Sequence, residues 1–228
     1  MSRIDDFLKT IEISQDELEK ANRDLFSKGI DIHEDIRDSI YSFRRNKVKY
    51  CEIASAYRYD KRMRLVLYKY ISYVEEFIRA RVVDYFYENK ESKIFVLKNK
   101  HIRTIEEIYL LNFNKLTQLL MKIPDYEKRC KYSKNAYQQN NIKALVVMRN
   151  AVMHNRFLQF YNSYKNCYYN GEKQQATLRY NILNLMQFLP AEAAQKCKDE
   201  INKCKNYKNT QDDVKWNLPK EIIIDLNV

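Results

Sequence analysis

The sequence contains very few chain-breaking residues. Its 228 residues include only 2 Gly and 3 Pro, which leaves little of the turn chemistry that sheets need. The same scarcity excludes a glycine-rich phosphate loop and a dinucleotide-binding fingerprint in any normal form, and no G-x-S-x-G motif occurs. We therefore predict an all-α protein that uses neither of these phosphate-binding devices nor a nucleophile elbow.

Cysteine and histidine are also sparse and scattered. The five Cys form no C-x-x-C pair, and an odd number at wide spacing is a poor disulfide framework, so we expect a reducing, cytoplasmic setting. His33, His101 and His154 are far apart and belong to no cluster with ligand spacing, so we expect no metal and no cofactor. The N-terminus is charged and no run of 18 apolar residues occurs, so we expect no secretion signal and no membrane span.

The chain carries an excess of positive charge. Lys and Arg number 41 against 30 acidic residues, for a formal net charge of +11. A surplus of this size is typical of proteins that bind phosphate-rich partners. It is equally typical of a solvated, Lys-rich surface, and charge alone does not decide between the two.

Hydrophobic spacing predicts a series of helices in one domain spanning residues 1–228. Ser14 and Glu17 form a capping-box pattern, and Gly29 is a C-terminal stop, so 14–28 reads as one helix. Further helices are predicted from about 31, from 60 to 89, from 104 to 122, from 135 to 161, and over 172–189 and 190–206. Residues 90–103 are the expected loop or short hairpin, and the tail at about 207–228 is expected to dock on the body.

The predicted helix over 60–89 carries two features. Its apolar residues return at spacings of three and four, which marks a core-facing stripe. The members of this stripe are Leu67, Ile71, Val74, Ile78, Val82 and Tyr85. Glu75 and Arg79 stand four residues apart, with the acid first, and we predict an intrahelical ion pair between them.

The run from Leu145 to Arg156 sets polar residues inside an apolar helix. Asn150 and His154 are four residues apart and share one face, while Arg149 and Arg156 are expected together on the adjoining edge. A cation beside an imidazole is what RNA cleavage by the 2′-hydroxyl requires, because one group moves protons and the other neutralises the phosphate. The alternative is a His and an Arg in a helix-packing hydrogen-bond network.

Three stretches resemble one family, in the family's order. The runs YRYDKRMR (57–64) and ISYVEEFIRAR (71–81) resemble the Y-x-x-D-x-x-L-R … I-E-x-x-L-R helix of the Abi-like abortive-infection proteins, which belong to the HEPN superfamily. EIYLLNFNKLTQLL (107–120) is similar to that family's E-x-x-S-F-G-x-L-S-x-L-Y helix, and MRNAVMHNR (148–156) to its L-R-N-x-x-A-H-H-x-R signature. Asn114 stands where the family often has Gly, and Asn155 where it often has a second His.

The resemblance implies a fold and a site. The fold would be a HEPN-like helical bundle with its core at about 40–190 and additional N- and C-terminal helices. Arg149, Asn150 and His154 would be catalytic, without metal, in a cleft shared by two copies of the chain. Val146, Met153 and Phe157 lie on the same side of the predicted helix as these residues, and we expect this apolar edge to form the homodimer interface.

The basic residues without obvious intrahelical partners are the expected RNA-binding set. They are Arg44, Arg45, Lys47, Arg58, Arg62 and Arg64, together with Arg156 of the signature. The leading hypothesis is a ribonuclease of bacterial anti-phage defence or of a toxin–antitoxin pair, cutting single-stranded RNA and opposed by an antitoxin RNA or protein. One alternative is a non-catalytic RNA-binding protein of the same family that holds a structured regulatory RNA. Another is a helical interaction module that senses a phage component.

Overall fold

The computed structural model describes residues 2–89, 95–97, 100–129, 138–154, 156–158, 161, 163, 165–206 and 215–226. Backbone contacts divide the chain into two compact units. The first unit comprises Met1–Leu65, Phe157–Gln159 and Asp199–Val228, and the second comprises Val66–Arg156 and Phe160–Lys198. Each unit is described by itself.

The described residues are mostly helical, which confirms the all-α prediction at that level. The α-helices are α1 Arg3–Lys9, α2 Leu18–Lys28, α3 Ile30–Arg44, α4 Tyr50–Glu88, α5 Ile105–Tyr109, α6 Phe113–Leu120, α7 Tyr126–Arg129, α8 Gln139–Met153, α9 Leu178–Gln187 and α10 Ala191–Lys203. Short 3-10 helices span Gln15–Glu17 and Lys220–Ile222. Antiparallel hairpins pair β1 Val96–Leu97 with β2 Lys100–His101, and β3 Asn166–Tyr169 with β4 Glu172–Gln175. Among the described helices, none is long and apolar enough to cross a bilayer.

Three sequence signals act where they were predicted. The capping box is formed, since the Ser14 N–H donates to the Glu17 carboxylate at 3.3 Å and the 3-10 turn leads into α2. Gly29 stands between α2 and α3 with φ of +89°, a conformation that L side chains rarely adopt. Along α4 the predicted stripe is buried, because Leu67, Val74 and Ile78 are fully inaccessible to solvent.

The predicted helix over 104–122 is broken in two. The Thr104 hydroxyl accepts from the Glu107 N–H at 3.3 Å, which starts α5 as expected. The chain then leaves the helix after Tyr109, and the Asn112 side chain accepts from the Lys115 N–H at 3.0 Å to start α6. The prediction of one continuous helix was therefore wrong.

The predicted helix over 172–189 was also wrong in its first half. Asn170 and Gly171 both have positive φ, of 51° and 82°, and they connect β3 to β4. An Asn-Gly pair is the turn that a two-residue hairpin prefers, because its backbone twist matches that of the strands. Helix begins only at Leu178, where the Thr177 hydroxyl accepts from the Tyr180 N–H at 3.4 Å.

Buried amides fix the start of α8 in the second unit. The Asn141 side chain accepts from the Tyr168 N–H at 2.6 Å and donates to the Tyr168 carbonyl at 3.1 Å, so it pairs with β3 as a neighbouring strand would. Asn184 of α9 donates to the Asn141 carbonyl at 3.0 Å, and Asn181 donates to the Ala144 carbonyl at 2.8 Å. Since all three Asn are fully buried, these bonds offset the cost of removing amides from water.

The described part of the C-terminal tail belongs to the first unit. The Asn217 N–H donates to the Ser55 hydroxyl at 2.9 Å, and the Ile224 N–H donates to the Tyr59 hydroxyl at 3.1 Å. Leu226 is fully buried. Burial raises the pKa of Tyr59 to about 12, so this hydroxyl keeps its proton at neutral pH. The remainder of the predicted tail, 207–214 and 227–228, lies outside the described residues.

Candidate active site

The signature residues lie at the C-terminal end of α8. Arg149 and Asn150 are in its last two turns, and His154 is the first residue beyond it, with its N–H donating to the Asn150 carbonyl at 3.0 Å. The Arg156 N–H donates to the Ala151 carbonyl at 3.1 Å, the 6→1 bond typical of a Schellman-type helix end. Asn150 and His154 are exposed, so a ligand can reach both side chains.

One part of the predicted geometry was wrong. The sequence predicted a helix running on toward Tyr161, with Arg149 and Arg156 on one edge. Because α8 ends at Met153, Arg156 stands outside the helix, and its exposed side chain shares no helical edge with Arg149. Asn150 and His154 are therefore one turn apart at the end of the helix, whereas Arg156 lies beyond it.

The carboxylate of Glu75 joins two arginines. Its Oε1 atom lies 3.1 Å from Nη2 of Arg79, which confirms the predicted ion pair within α4. Its Oε2 atom lies 3.4 Å from Nε of Arg149 on α8, a contact that no local sequence pattern predicts. The three side chains are 14–20% exposed, so the charges are partly withdrawn from water and depend on one another.

Arg79 extends this contact to the break between α5 and α6. Its Nη1 donates to the Ile108 carbonyl at 2.7 Å and to the Tyr109 carbonyl at 3.2 Å, and its Nη2 donates to the Leu111 carbonyl at 3.3 Å. The last carbonyls of a helix lack intrahelical partners, and a guanidinium can satisfy them. Arg79 therefore explains why the chain can leave the helix at this point.

The charges of this set do not cancel. One carboxylate faces two guanidinium groups, so the Glu75, Arg79 and Arg149 set carries one uncompensated positive charge. Glu75 contacts Arg149 at Nε, and within the described part of the chain the two terminal nitrogens of Arg149 have no partner. These nitrogens have the geometry to bind two oxygens of a phosphate.

The predicted dimer edge is largely covered by the chain itself. Val146 is 8% exposed and Phe157 is 5% exposed, while Met153 is half-buried. Val146 and Phe157 therefore do not form the exposed apolar edge that the sequence predicted, because each already packs within its own chain. The homodimer stays a prediction, but Val146 and Phe157 no longer support it.

Several of the predicted RNA-binding cations are paired inside the first unit. Arg44 donates to both carboxylate oxygens of Glu221, at 2.9 and 2.7 Å. It also donates to Oε1 of Glu52 at 2.6 Å. The Arg44 guanidinium lowers the pKa of Glu221 to about 2. Arg62 donates to the Cys204 carbonyl at 3.1 Å. Arg44 and Arg62 are therefore engaged by groups outside their own helices, and their RNA-binding role stays a prediction.

Arg64 is likewise engaged. Its Nε lies 2.8 Å from the Asp60 carboxylate, and both side chains are buried. Asp60 also accepts from the Leu158 N–H at 2.6 Å. Burial raises the pKa of Asp60 to about 6, against the opposing effect of Arg64. Arg64 thus belongs to the core, whereas Arg58 is half-buried and Arg45 and Lys47 are exposed.

Comparison with known proteins yields no relative. No family profile matches the chain, and neither the curated proteins nor the solved structures include a significant match. The family resemblance therefore rests on the residues quoted above.

The shared carboxylate predicts a stability difference between two neighbouring glutamates. Glu75→Gln keeps the shape of the side chain but leaves two partly buried guanidinium groups without their counter-charge. We expect its free energy of unfolding to fall by about 1–3 kcal/mol. Glu76→Gln, at the exposed next position, is the matched control and should change it by less than about 0.5 kcal/mol. Denaturant unfolding of both variants measures this, and equal stabilities would show that Glu75 does not hold the two arginines.

Proposed function

We propose that the chain is a metal-independent ribonuclease of the Abi-like HEPN class. It cuts single-stranded RNA and acts in bacterial anti-phage defence or as the toxic member of a toxin–antitoxin pair. Arg149 and His154 act on the phosphate and its neighbouring oxygens, and Asn150 lies on the same face as His154. The basic surface charge favours the approach of RNA.

One contact supports this proposal more than any other. Glu75 lies in the 71–81 run of the first stretch that resembles the family and Arg149 lies in the signature, 74 positions apart, yet their side chains meet. Two of the stretches that resemble the family thus meet in the second unit. A packing role alone would explain the ion pair, but it would not require an exposed imidazole one turn further along.

The chemistry follows from the groups present. A base takes the proton of the 2′-hydroxyl, and the 2′-oxygen forms a bond to phosphorus. The bond from phosphorus to the 5′-oxygen breaks, and an acid protonates that leaving oxygen. The products are a 2′,3′-cyclic phosphate and a 5′-hydroxyl. Arg149 neutralises the non-bridging oxygens, whose charge grows in the transition state.

One imidazole does not serve both proton transfers at once. Each chain offers a single signature histidine, His154, so we propose that a second copy of the chain supplies the other. In a symmetric pair the same surface of each copy faces the other, so two copies of His154 and Arg149 would surround one phosphate.

A non-catalytic RNA-binding role is the second candidate. The observation in its favour is that Arg149 is already paired with Glu75 at 3.4 Å, as in a helix-packing network. In that case His154 would have no chemical task, and its removal would leave both RNA affinity and the biological effect unchanged.

Substitution at the signature separates the two candidates. His154→Ala and Arg149→Ala should each lower RNA cleavage by about 100-fold or more, because a proton-transfer group or a phosphate-neutralising cation is lost. His101→Ala, which removes a half-buried imidazole of the same unit, is the matched control and should cleave normally. Cleavage is measured with a labelled single-stranded RNA in EDTA, and circular dichroism checks the fold. Full activity of His154→Ala would reject the site, and loss of wild-type cleavage in EDTA would reject the metal-free mechanism.

A shared cleft predicts that activity depends on association. Cleavage per chain should rise with protein concentration in parallel with the dimer fraction, because each site needs two copies of His154. Sedimentation equilibrium gives that fraction under the assay conditions. Constant activity per chain in a protein that sediments as a monomer would contradict the shared cleft and leave a single-chain site.

A further inference from the structure

An open, positively charged groove of about 510 Å³ lies within the first unit. Its walls come from the end of α1, the last turns of α3 and the linker that leads to α4. Arg37, Arg45 and Lys47 contribute three positive charges and Asp38 one negative charge, which leaves a net charge of +2. The ring of Tyr41, 51% exposed, stands in the same groove.

The walls of the groove are held in place. Nη1 of Arg37 donates to the Thr10 hydroxyl at 2.7 Å, and that hydroxyl donates to the Phe7 carbonyl at 2.6 Å. The Glu12 N–H donates to the Val48 carbonyl at 2.8 Å, which ties the segment after α1 to the linker before α4. A charged groove on a fixed backbone loses little conformational entropy when it binds.

The charge of the groove is not neutralised by its neighbours. Arg44 is taken up by Glu52 and Glu221, whereas within the described residues neither Arg45 nor Lys47 forms an ion pair. Arg45 follows α3 with φ of +56°, and a cation at a helix C-terminus is favoured by the helix dipole. That effect accounts for Arg45 alone and not for Lys47, Arg37 and an exposed aromatic ring beside it.

We propose that this groove binds one segment of single-stranded RNA. Arg45 and Lys47 contact phosphate oxygens, Arg37 adds a fixed guanidinium, and Tyr41 stacks against a base. A basic groove with an aromatic platform is the combination that single strands require, because it matches both the charged backbone and the unpaired bases. That the strand is RNA rests on the proposed function. The positive charge and the aromatic ring of the groove do not depend on that function.

Binding is tested with a 2′-O-methyl oligonucleotide, which lacks the attacking hydroxyl and is therefore not cut. Each phosphate contact contributes about 0.7 to the log–log salt slope for a single strand, so the double variant Arg45→Gln and Lys47→Gln should lower the slope by about 1.4. The double variant Lys196→Gln and Lys203→Gln removes the same charge from exposed positions of α10 and should leave the slope nearly unchanged. Equal effects of the two double variants would overturn the proposal and indicate attraction by net charge only.

Two single substitutions test the groove in opposite directions. Tyr41→Ala should weaken binding about tenfold through lost stacking. Phe43→Ala is its control, because Phe43 is 61% exposed but lies about 200° further round α3. Asp38→Asn should tighten binding, since it removes the negative charge from the groove and releases Arg37. Unchanged affinity in both Tyr41→Ala and Asp38→Asn would overturn the proposal.

Different results would contradict the proposed groove and the proposed catalytic site. If the groove is real but the chain is not a nuclease, the groove variants lose binding and the wild-type protein cuts no RNA. If the chain is a nuclease but the groove is not used, the groove variants cut RNA at the wild-type KM, and that result overturns the groove. If both hold, the groove variants raise KM with kcat nearly unchanged.

Discussion

The carboxylate of Glu75 is the constraint on which the second unit depends. It is the counter-charge of both Arg79 and Arg149, and all three side chains are mostly covered. A partly buried charge destabilises a protein unless it is paired, so each member of this set requires the others. Through Arg79 the carboxylate also holds the chain between α5 and α6, and through Arg149 it holds the end of α8.

The signature helix is therefore fixed at both ends by polar contacts. Asn141 ties its first turn to β3, and near its C-terminal end Arg149 ties it to Glu75 of α4. A reacting group is effective when its support holds it in place before the ligand arrives. Here the support belongs to the helix, while His154 stands just beyond it in an exposed position, where it can meet a phosphate.

Local sequence signals predicted much of the fold but few of the side-chain contacts that hold the candidate site. The stripe along α4 and the capping box at Ser14 are set by residues close in sequence, and both were predictable. The Asn170-Gly171 hairpin was predictable too, since the dipeptide is a strong turn signal, but the scarcity of Gly favoured a helical interpretation. At the break after Tyr109, Asn112 is a local cap signal for α6, but the contact of Arg79 with the end of α5 spans 29 or more residues and was not predictable.

Contacts between residues distant in sequence were equally unpredictable. Arg44 meets Glu221 across 177 positions, and no local pattern marks that pair. Val146 and Phe157 lie near the polar signature in sequence and were predicted to form an exposed apolar edge. Packing within the chain covers both. The resemblance implied a role for Arg149 and the spacing paired Glu75 with Arg79, but only the fold shows that Glu75 and Arg149 touch.

The central claim is that the groups at the end of α8 direct attack by the RNA's own 2′-hydroxyl. Mass spectrometry of the fragments left by the wild-type protein tests it most directly, because the ends record which oxygen attacked phosphorus. Attack by the 2′-hydroxyl should leave a 2′,3′-cyclic phosphate on one fragment and a 5′-hydroxyl on the other. The bond should stay uncut wherever a single 2′-deoxynucleotide precedes the scissile phosphate. A 3′-hydroxyl with a 5′-phosphate, or cleavage at the deoxy position, would show that water attacks and would contradict attack by the 2′-hydroxyl.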